Sequence, residues 1–241
     1  MITKNQIKLI RSLRIKKNRI KHNFFLAEGE KIVDELLNSE IILVNLFSTS
    51  EKYNKLEKFI HLKNPELKQI SNLKSPNKVL AIFEIPKPKE IDYNSTIIAF
   101  EEINDPGNLG TIIRICDWFG IKDIICSKKS VDCYNPKVIQ ASMGSTSRVN
   151  ISYLCLEKII SKNQNRVVAA DLNGESISEF RFDSNQIIFF GSESNGFSKE
   201  ISSKIKRKIT IPRYNQNIDS LNLANSVAII LSEIKHKLTE K

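Results

Sequence analysis

The sequence lacks the features that would mark an exported, membrane-bound or metal-dependent protein. No apolar run approaches the roughly 20 residues that a bilayer requires, and no signal-peptide core follows the basic N-terminus. The four cysteines form no Cys-x-x-Cys pair, and the three histidines are scattered along the chain. We therefore expect a cytoplasmic protein with no metal site, no disulfide framework and no membrane partner.

Acidic residues are missing from the first 23 positions, where eight lysines and arginines occur. The whole chain has a formal net charge of +10, from 37 Lys and Arg against 27 Asp and Glu. Ile7, Ile10 and Leu13 recur at helical spacing, which predicts an amphipathic basic helix. A nucleic acid is the favoured partner, and a solubilising surface or a membrane-surface helix are the alternatives. The residues that we predict to contact the nucleic acid are Lys16, Lys17, Arg19 and Lys21.

Alternating prolines at residues 86–89 divide the chain, because they remove backbone donors and favour an extended linker. We predict one domain over residues 1–90 and a second over residues 91–241. In the first, a helix is expected at residues 28–37, with strands at 41–47 and 79–85. This pattern indicates a small α/β domain.

Beyond the linker, strands and helices alternate, which predicts an α/β domain with a parallel sheet covered on both faces. The predicted strands are residues 97–103, 123–127, 166–172, 186–191 and 208–212, and the predicted helices are 108–119, one from Asn135 onward, and 219 to about 237. Ligands of such folds bind beyond the carboxyl ends of the strands, so the loops there are the candidate site.

Glycine is scarce, with eight in the chain, and six of these fall in turns and at element ends of the second domain. They indicate either tight turns or backbone that approaches a ligand closely. The loop at residues 102–111 has neither a Gly-Lys-Ser/Thr ending nor Gly-x-Gly-x-x-Gly spacing, which argues against ATP or NAD. Arg114, just beyond it, could bind a phosphate or an oxyanion, or be an ordinary surface arginine.

Two later loops also carry polar side chains after apolar strands. Glu193 follows the strand at residues 186–191, where it could act in a site or cap the next helix. Asn222 and Asn225 open an otherwise apolar helix, and asparagine is a poor helix former. Their position indicates capping or hydrogen bonding to a ligand.

Taken together, the three loops form an ordered set of motifs. Residues 104–111 with Arg114, then residues 191–196, then residues 211–212 with 220–223, resemble the three motifs of the SpoU/TrmH family of RNA 2′-O-ribose methyltransferases. Residues 136–144 and 25–29 are similar to further segments of that family. The loop after Pro212 departs from the pattern, since Arg213 and Asn215 stand where methionine and glycine are usual.

The resemblance implies a trefoil-knotted methyltransferase domain that uses S-adenosyl-L-methionine, preceded by a ribosomal-protein-like α/β substrate-binding domain. It implies a homodimer that acts on RNA, with ribosomal RNA favoured over transfer RNA; a non-catalytic RNA-binding protein of the same fold is the alternative. The residues it assigns to catalysis are Arg114, Asn108, Glu193 and Asn222, and those it assigns to the cofactor are Gly191, Ile211, Leu221 and Leu223.

Overall fold

The computed structural model describes residues 2–215 and 217–239, and the chain forms two compact units. The first unit consists of Met1–Lys87 and Asp132–Ser147, and the second of Pro88–Val131 and Arg148–Lys241. Residues 132–147 lie within the predicted second domain, residues 91–241, but they pack with the first unit.

In chain order, the elements up to residue 87 are α1 (Lys4–Ser12), α2 (Lys16–His22), β1 (Phe24–Glu28), α3 (Glu30–Leu37), β2 (Leu43–Ser48), β3 (Phe59–His61), α4 (Asn64–Ile70) and β4 (Val79–Glu84). Those that follow are β5 (Ile97–Phe100), α5 (Pro106–Trp118), β6 (Asp123–Cys126), α6 (Pro136–Ser142), β7 (Asn150–Tyr153), α7 (Leu156–Lys162), β8 (Val167–Ser176), β9 (Ile187–Phe190), α8 (Lys199–Ser202), β10 (Arg207–Thr210) and α9 (Leu223–Thr239). None of the helices in the described ranges is both long and apolar enough to cross a bilayer.

The first unit is built on a four-stranded sheet in the order β1-β4-β2-β3. The predicted amphipathic helix is present as two helices, α1 and α2, and its apolar residues Ile10 and Leu13 are fully buried against the sheet. Burial of these residues stabilises the unit at roughly 25 cal/mol per Å² of apolar surface. The membrane-surface alternative loses its main support, because the apolar face of α1 is used inside the protein.

Helix α6 explains why residues 132–147 belong to this unit. It packs against β1, and its Ile139 lies in the same core cluster as Phe25. Gly144 follows at φ +95°, and a Cβ atom there would lie 2.5 Å from Cβ of Glu35. Only glycine fits this conformation and this contact, so the segment is held closely on the first unit.

The second unit contains a six-stranded sheet in the order β10-β8-β9-β5-β6-β7, and every neighbouring pair is parallel. The prediction of a parallel sheet is confirmed. The central strands β5 and β9 are fully buried, because they consist of isoleucine, alanine and phenylalanine only. The sheet also contains β7 at its edge, followed by α7, and neither element was predicted from the sequence.

Candidate active site and nucleic-acid interface

The three motif loops follow strands β5, β9 and β10 of the second unit. Because all strands of the sheet are parallel, the three loops leave it at the same edge. Strands β5 and β9 are direct neighbours, and Oε2 of Glu101 accepts a hydrogen bond from the backbone N–H of Ser198 at 2.9 Å. The loops after these two strands are thus tied together at their bases.

The start of α5 determines where the first motif presents its side chains. Asp105 is the N-cap, and its Oδ1 accepts a hydrogen bond from the backbone N–H of Asn108 at 2.8 Å. Pro106 occupies the first helical turn, where its missing N–H costs nothing. A Cβ atom at Gly107 would lie 2.9 Å from the same Oδ1, so glycine leaves room for the cap. The Asp-Pro pair is the sequence signal that would have predicted this helix start, two residues before the predicted one.

The segment before α5 is also held by the loop that follows β6. The backbone N–H of Ile103 donates to Oγ of the buried Ser130 at 3.2 Å, and the N–H of Val131 donates to the carbonyl of Ile103 at 2.8 Å. Sequence reasoning missed Ser130 and Glu101, because their partners lie 27 and 97 positions away along the chain.

Asn108 joins the three motifs. Its Nδ2 donates to Oε1 of Glu193 at 2.5 Å, and its Oδ1 accepts from Nδ2 of Asn222 at 3.1 Å. The amide orientations follow from the partners: an ionised carboxylate only accepts, so Asn108 must present its NH₂ group to Glu193 and its oxygen to Asn222. The structure therefore brings together three of the four predicted catalytic residues in one hydrogen-bonded chain.

Asn222 has a second role, at the beginning of α9. Its Oδ1 accepts hydrogen bonds from the backbone N–H groups of Ala224, at 2.9 Å, and Asn225, at 3.3 Å. The helix accordingly begins at Leu223 rather than at the predicted residue 219. The prediction of a capping asparagine is confirmed for Asn222, whose cap also orients its NH₂ group toward Asn108.

Arg114 lies on α5 but is not part of this chain of amides and carboxylate. Its side chain is exposed and makes no hydrogen bond or ion pair with any other residue in the described part of the protein. Asp117 on the same helix, by contrast, binds Arg148 at 2.8 Å. The guanidinium of Arg114 thus keeps its donors available for an anionic ligand. Burial raises the pKa of the neighbouring Cys116 thiol, which keeps it protonated and unreactive.

The four predicted cofactor residues differ in how far their side chains and backbone groups are accessible to a ligand. Gly191 closes a tight turn: a Cβ atom there would lie 2.5 Å from the carbonyl carbon of Gly196, so the turn itself requires this glycine. Leu221 is exposed, and its backbone makes no hydrogen bond to the described residues. Ile211 is half-buried, and the side chain of Leu223 is buried in the protein. Of the atypical stretch 213–219, Gln216 lies outside the described residues.

The lysines and arginines of α1, α2 and the residues between them fall into two groups. The arginines bind other parts of the first unit: Arg11 donates to the carbonyl of Gln69 at 3.1 Å, and Arg14 to that of Ser71 at 3.0 Å. The planar guanidinium suits this bridging of backbone carbonyls at the end of α4. The five lysines of the same stretch are exposed; they are Lys4, Lys8, Lys16, Lys17 and Lys21.

Arg19 corrects one expectation from the sequence. Its side chain is 2% exposed, and it donates to Oδ2 of Asp132 at 2.6 and 2.9 Å and to the carbonyls of Leu13 and Arg14 at 2.9 Å. Because the side chain is buried and four of its five N–H donors are used inside the unit, Arg19 is not placed to contact an RNA phosphate. The sequence carried no signal for this pairing, since Asp132 lies 113 positions away.

Two family models match this chain, one in each half of the sequence. The model of the SpoU rRNA methylase family matches residues 95–232, and that of the MRM3-like substrate binding domain matches residues 4–81. The 23S rRNA (guanosine(2553)-2′-O)-methyltransferase RlmP of Bacillus subtilis is 26% identical over 242 aligned positions, covering 96% of this chain and 97% of the relative.

Solved structures match over nearly the whole chain. An RNA methyltransferase assigned to the TrmH family from Porphyromonas gingivalis is 32% identical, with a TM-score of 0.89 and coverage of 97% of this chain and 98% of its own. An rRNA methyltransferase from Sinorhizobium meliloti with bound AdoMet is 26% identical, with a TM-score of 0.84 and coverage of 99% and 97%.

Proposed function

Because the chain belongs to the SpoU rRNA methylase family, we propose that it transfers a methyl group from S-adenosyl-L-methionine to a ribose 2′-hydroxyl of RNA. The observation that carries the proposal is the hydrogen-bonded chain Glu193–Asn108–Asn222, which joins the three motif loops. Ribosomal RNA is the favoured substrate, since the Bacillus relative acts on 23S rRNA and the first unit matches a substrate-binding domain. Transfer RNA is the alternative substrate.

The cofactor would be held by backbone groups of the loops after β9 and β10, around Gly191, Ile211, Leu221 and Leu223. Leu221 fits this role, because an exposed apolar side chain and an unused backbone N–H and carbonyl suit the ring and polar edge of an adenine. Bound S-adenosyl-L-methionine supplies an activated methyl group on a sulfonium centre. The protein's own tasks are then to position the ribose and to accommodate the loss of a proton.

Different side chains of the site carry out the positioning and the handling of the proton. The ribose oxygen gains a methyl group and gives up its proton, and no histidine occurs in the three loops to accept that proton near neutral pH. Arg114 cannot serve as a base, because an arginine guanidinium keeps its proton in proteins, and we assign it to a phosphate or to the developing alkoxide. The hydrogen bonds among Asn108, Glu193 and Asn222 hold the three motif loops together, and these side chains orient the substrate.

The first prediction tests the reaction itself. The purified protein is expected to methylate RNA and to leave DNA of the same sequence unmodified, because DNA has no 2′-hydroxyl. Transfer of labelled methyl groups to matched RNA and DNA strands measures this. An RNA strand with a single 2′-deoxy substitution at the methylated nucleotide is the control and should lose the label; equal labelling of RNA and DNA would refute the proposal.

A non-catalytic RNA-binding protein of the same fold is the competing function. The retained contacts among Asn108, Glu193 and Asn222 favour an enzyme, since an RNA-binding protein without turnover does not need them together. Calorimetry separates the two: an enzyme binds S-adenosyl-L-methionine, and a pure RNA-binding protein does not.

We also propose that residues 1–90 bind the RNA substrate and that residues 91–241 form the methyltransferase domain. The exposed lysines of α1 and α2 support the first assignment, since contacts with phosphate release counterions from RNA. Point substitutions test it better than deletion of residues 1–23, because deletion would also remove the buried Ile10 and Leu13.

A second prediction concerns assembly: we propose a homodimer formed by α5 and α9 of the second unit. These helices pack against each other and still expose Trp118, at 85%, and Ile229, at 39%. Trp118→Asp is expected to convert the dimer to a monomer, because the charge would be buried at the interface. Analytical ultracentrifugation of the full chain measures this, with Ile42→Asp, in the first unit, as the control. A monomeric wild type at micromolar concentration would contradict the proposal.

The trefoil-knotted chain path and the cytoplasmic location remain predictions. The parallel strand order around β9 and β5 supports the first, and the cysteine usage the second.

A further inference from the structure

Helix α2 presents an outward face that combines positive charge with one exposed apolar side chain. A helix turns by about 100° per residue, so Lys16, Ile20, Lys17 and Lys21 fall within one arc of about 140°. Of these, Ile20, Lys17 and Lys21 lie about 100° or more around the helix from the buried Arg19. Ile20 is 67% exposed, whereas Ile10 of the preceding helix is fully buried. We call these four residues the α2 face.

The orientation of the α2 face is determined by contacts within the first unit. Arg19 binds Asp132 and the carbonyls of Leu13 and Arg14, which hold the end of α1 against α2. Helix α2 therefore has one side committed to the protein and the opposite side exposed. A single exposed isoleucine needs no explanation, but one surrounded by three lysines on a fixed face does call for one.

The charge of this region indicates the chemical class of its ligand. The first acidic residue of the chain is Glu28, so α1 and α2 contain basic residues and no acidic ones. An RNA backbone complements this charge, but regular duplex RNA offers no apolar surface to Ile20, since phosphates and 2′-hydroxyls line its accessible groove. A nucleotide outside a base pair does expose the face of its base.

We propose that the α2 face binds an unpaired nucleotide of the RNA substrate, with Lys16, Lys17 and Lys21 on flanking phosphates and Ile20 against the base. The inference rests on the proposed function in so far as RNA is the substrate, and it adds a preference for RNA with unpaired nucleotides over continuous duplex. It also separates the two kinds of contact: the lysines contribute affinity for any RNA, and Ile20 contributes the preference.

The test compares two RNA probes on the full-length protein: a perfect duplex, and the same duplex interrupted by a bulge of unpaired nucleotides. Ile20→Ser is expected to weaken binding of the bulged RNA about tenfold, from the loss of buried apolar surface, and to leave duplex binding and both salt dependences unchanged. Ile20→Leu should retain the wild-type affinity. Ile42→Ser, which alters an isoleucine 54% exposed elsewhere in the unit, is the matched control and should change neither affinity.

The combined substitutions Lys16→Gln, Lys17→Gln and Lys21→Gln provide the other half of the test. They are expected to weaken binding of both probes and to lower the slope of log affinity against log salt by about 1 for each lysine that contacts phosphate. Circular dichroism confirms that each variant is folded.

Two outcomes would overturn the inference: an equal loss of affinity for both probes with Ile20→Ser, or no loss of affinity for either probe. Methyl transfer is measured separately on the bulged RNA. A protein that shows the expected binding pattern but transfers no methyl group would contradict the proposed function and leave the inference standing.

Discussion

Arg114→Ala is expected to lower the rate of methyl transfer by about 10²–10³-fold while the affinity for S-adenosyl-L-methionine is retained, by analogy with removal of one oxyanion donor. The side chain is exposed and makes no hydrogen bond or ion pair with the described residues, so its removal should not disturb the fold. Single-turnover methylation at saturating RNA measures the rate, and calorimetry measures the cofactor affinity.

Two further variants sharpen this prediction. Arg114→Lys keeps the charge but loses the bidentate hydrogen-bonding geometry of the guanidinium, so we expect a rate between those of the wild type and Arg114→Ala. Arg181→Ala removes another exposed arginine, in the loop that precedes β9, and should leave the rate within about twofold of wild type, as expected for a surface change. Normal turnover by Arg114→Ala, or a loss of cofactor affinity in proportion to the rate, would show that Arg114 has a different role.

Asp132→Ala is expected to lower the free energy of unfolding of the first unit by about 3–5 kcal/mol, because it leaves the charge of Arg19 buried without its counterion. The remaining partners of that guanidinium are the carbonyls of Leu13 and Arg14, which are neutral. Urea unfolding followed by circular dichroism measures the loss. Fluorescence of Trp118, the single tryptophan of the chain, reports the second unit separately.

Lys78→Ala is the matched control in the same unit. Its ion pair with the half-buried Glu30 is 3.5 Å long and lies at the surface, where such pairs contribute at most about 1 kcal/mol. The double variant Arg19→Met with Asp132→Ala should be more stable than Asp132→Ala alone, since it buries no charge. If Asp132→Ala unfolds no more easily than Lys78→Ala, the pair does not hold α2 in place.

Much of the fold was predictable from local patterns. Apolar runs such as Ile187–Phe190 predicted the buried strands, and their alternation with helices predicted the parallel sheet. The edge strand β7 was missed, because its residues are only half-buried and carry no continuous apolar signal. The start of α9 was misplaced by four residues, since the capping role of Asn222 depends on backbone geometry that composition alone does not reveal.

The candidate site shows the same division between local and long-range information. The sequence by itself determined which loops carry the motifs, because residue type, order and spacing are local properties of the chain. Only the tertiary structure decided that Asn108 bonds to both Glu193 and Asn222, which lie 85 and 114 positions away. It likewise decided that Arg19 is buried while Lys17 is exposed. Two cations in one basic stretch look alike in sequence, and their roles separate only when a distant carboxylate, that of Asp132, is folded against one of them.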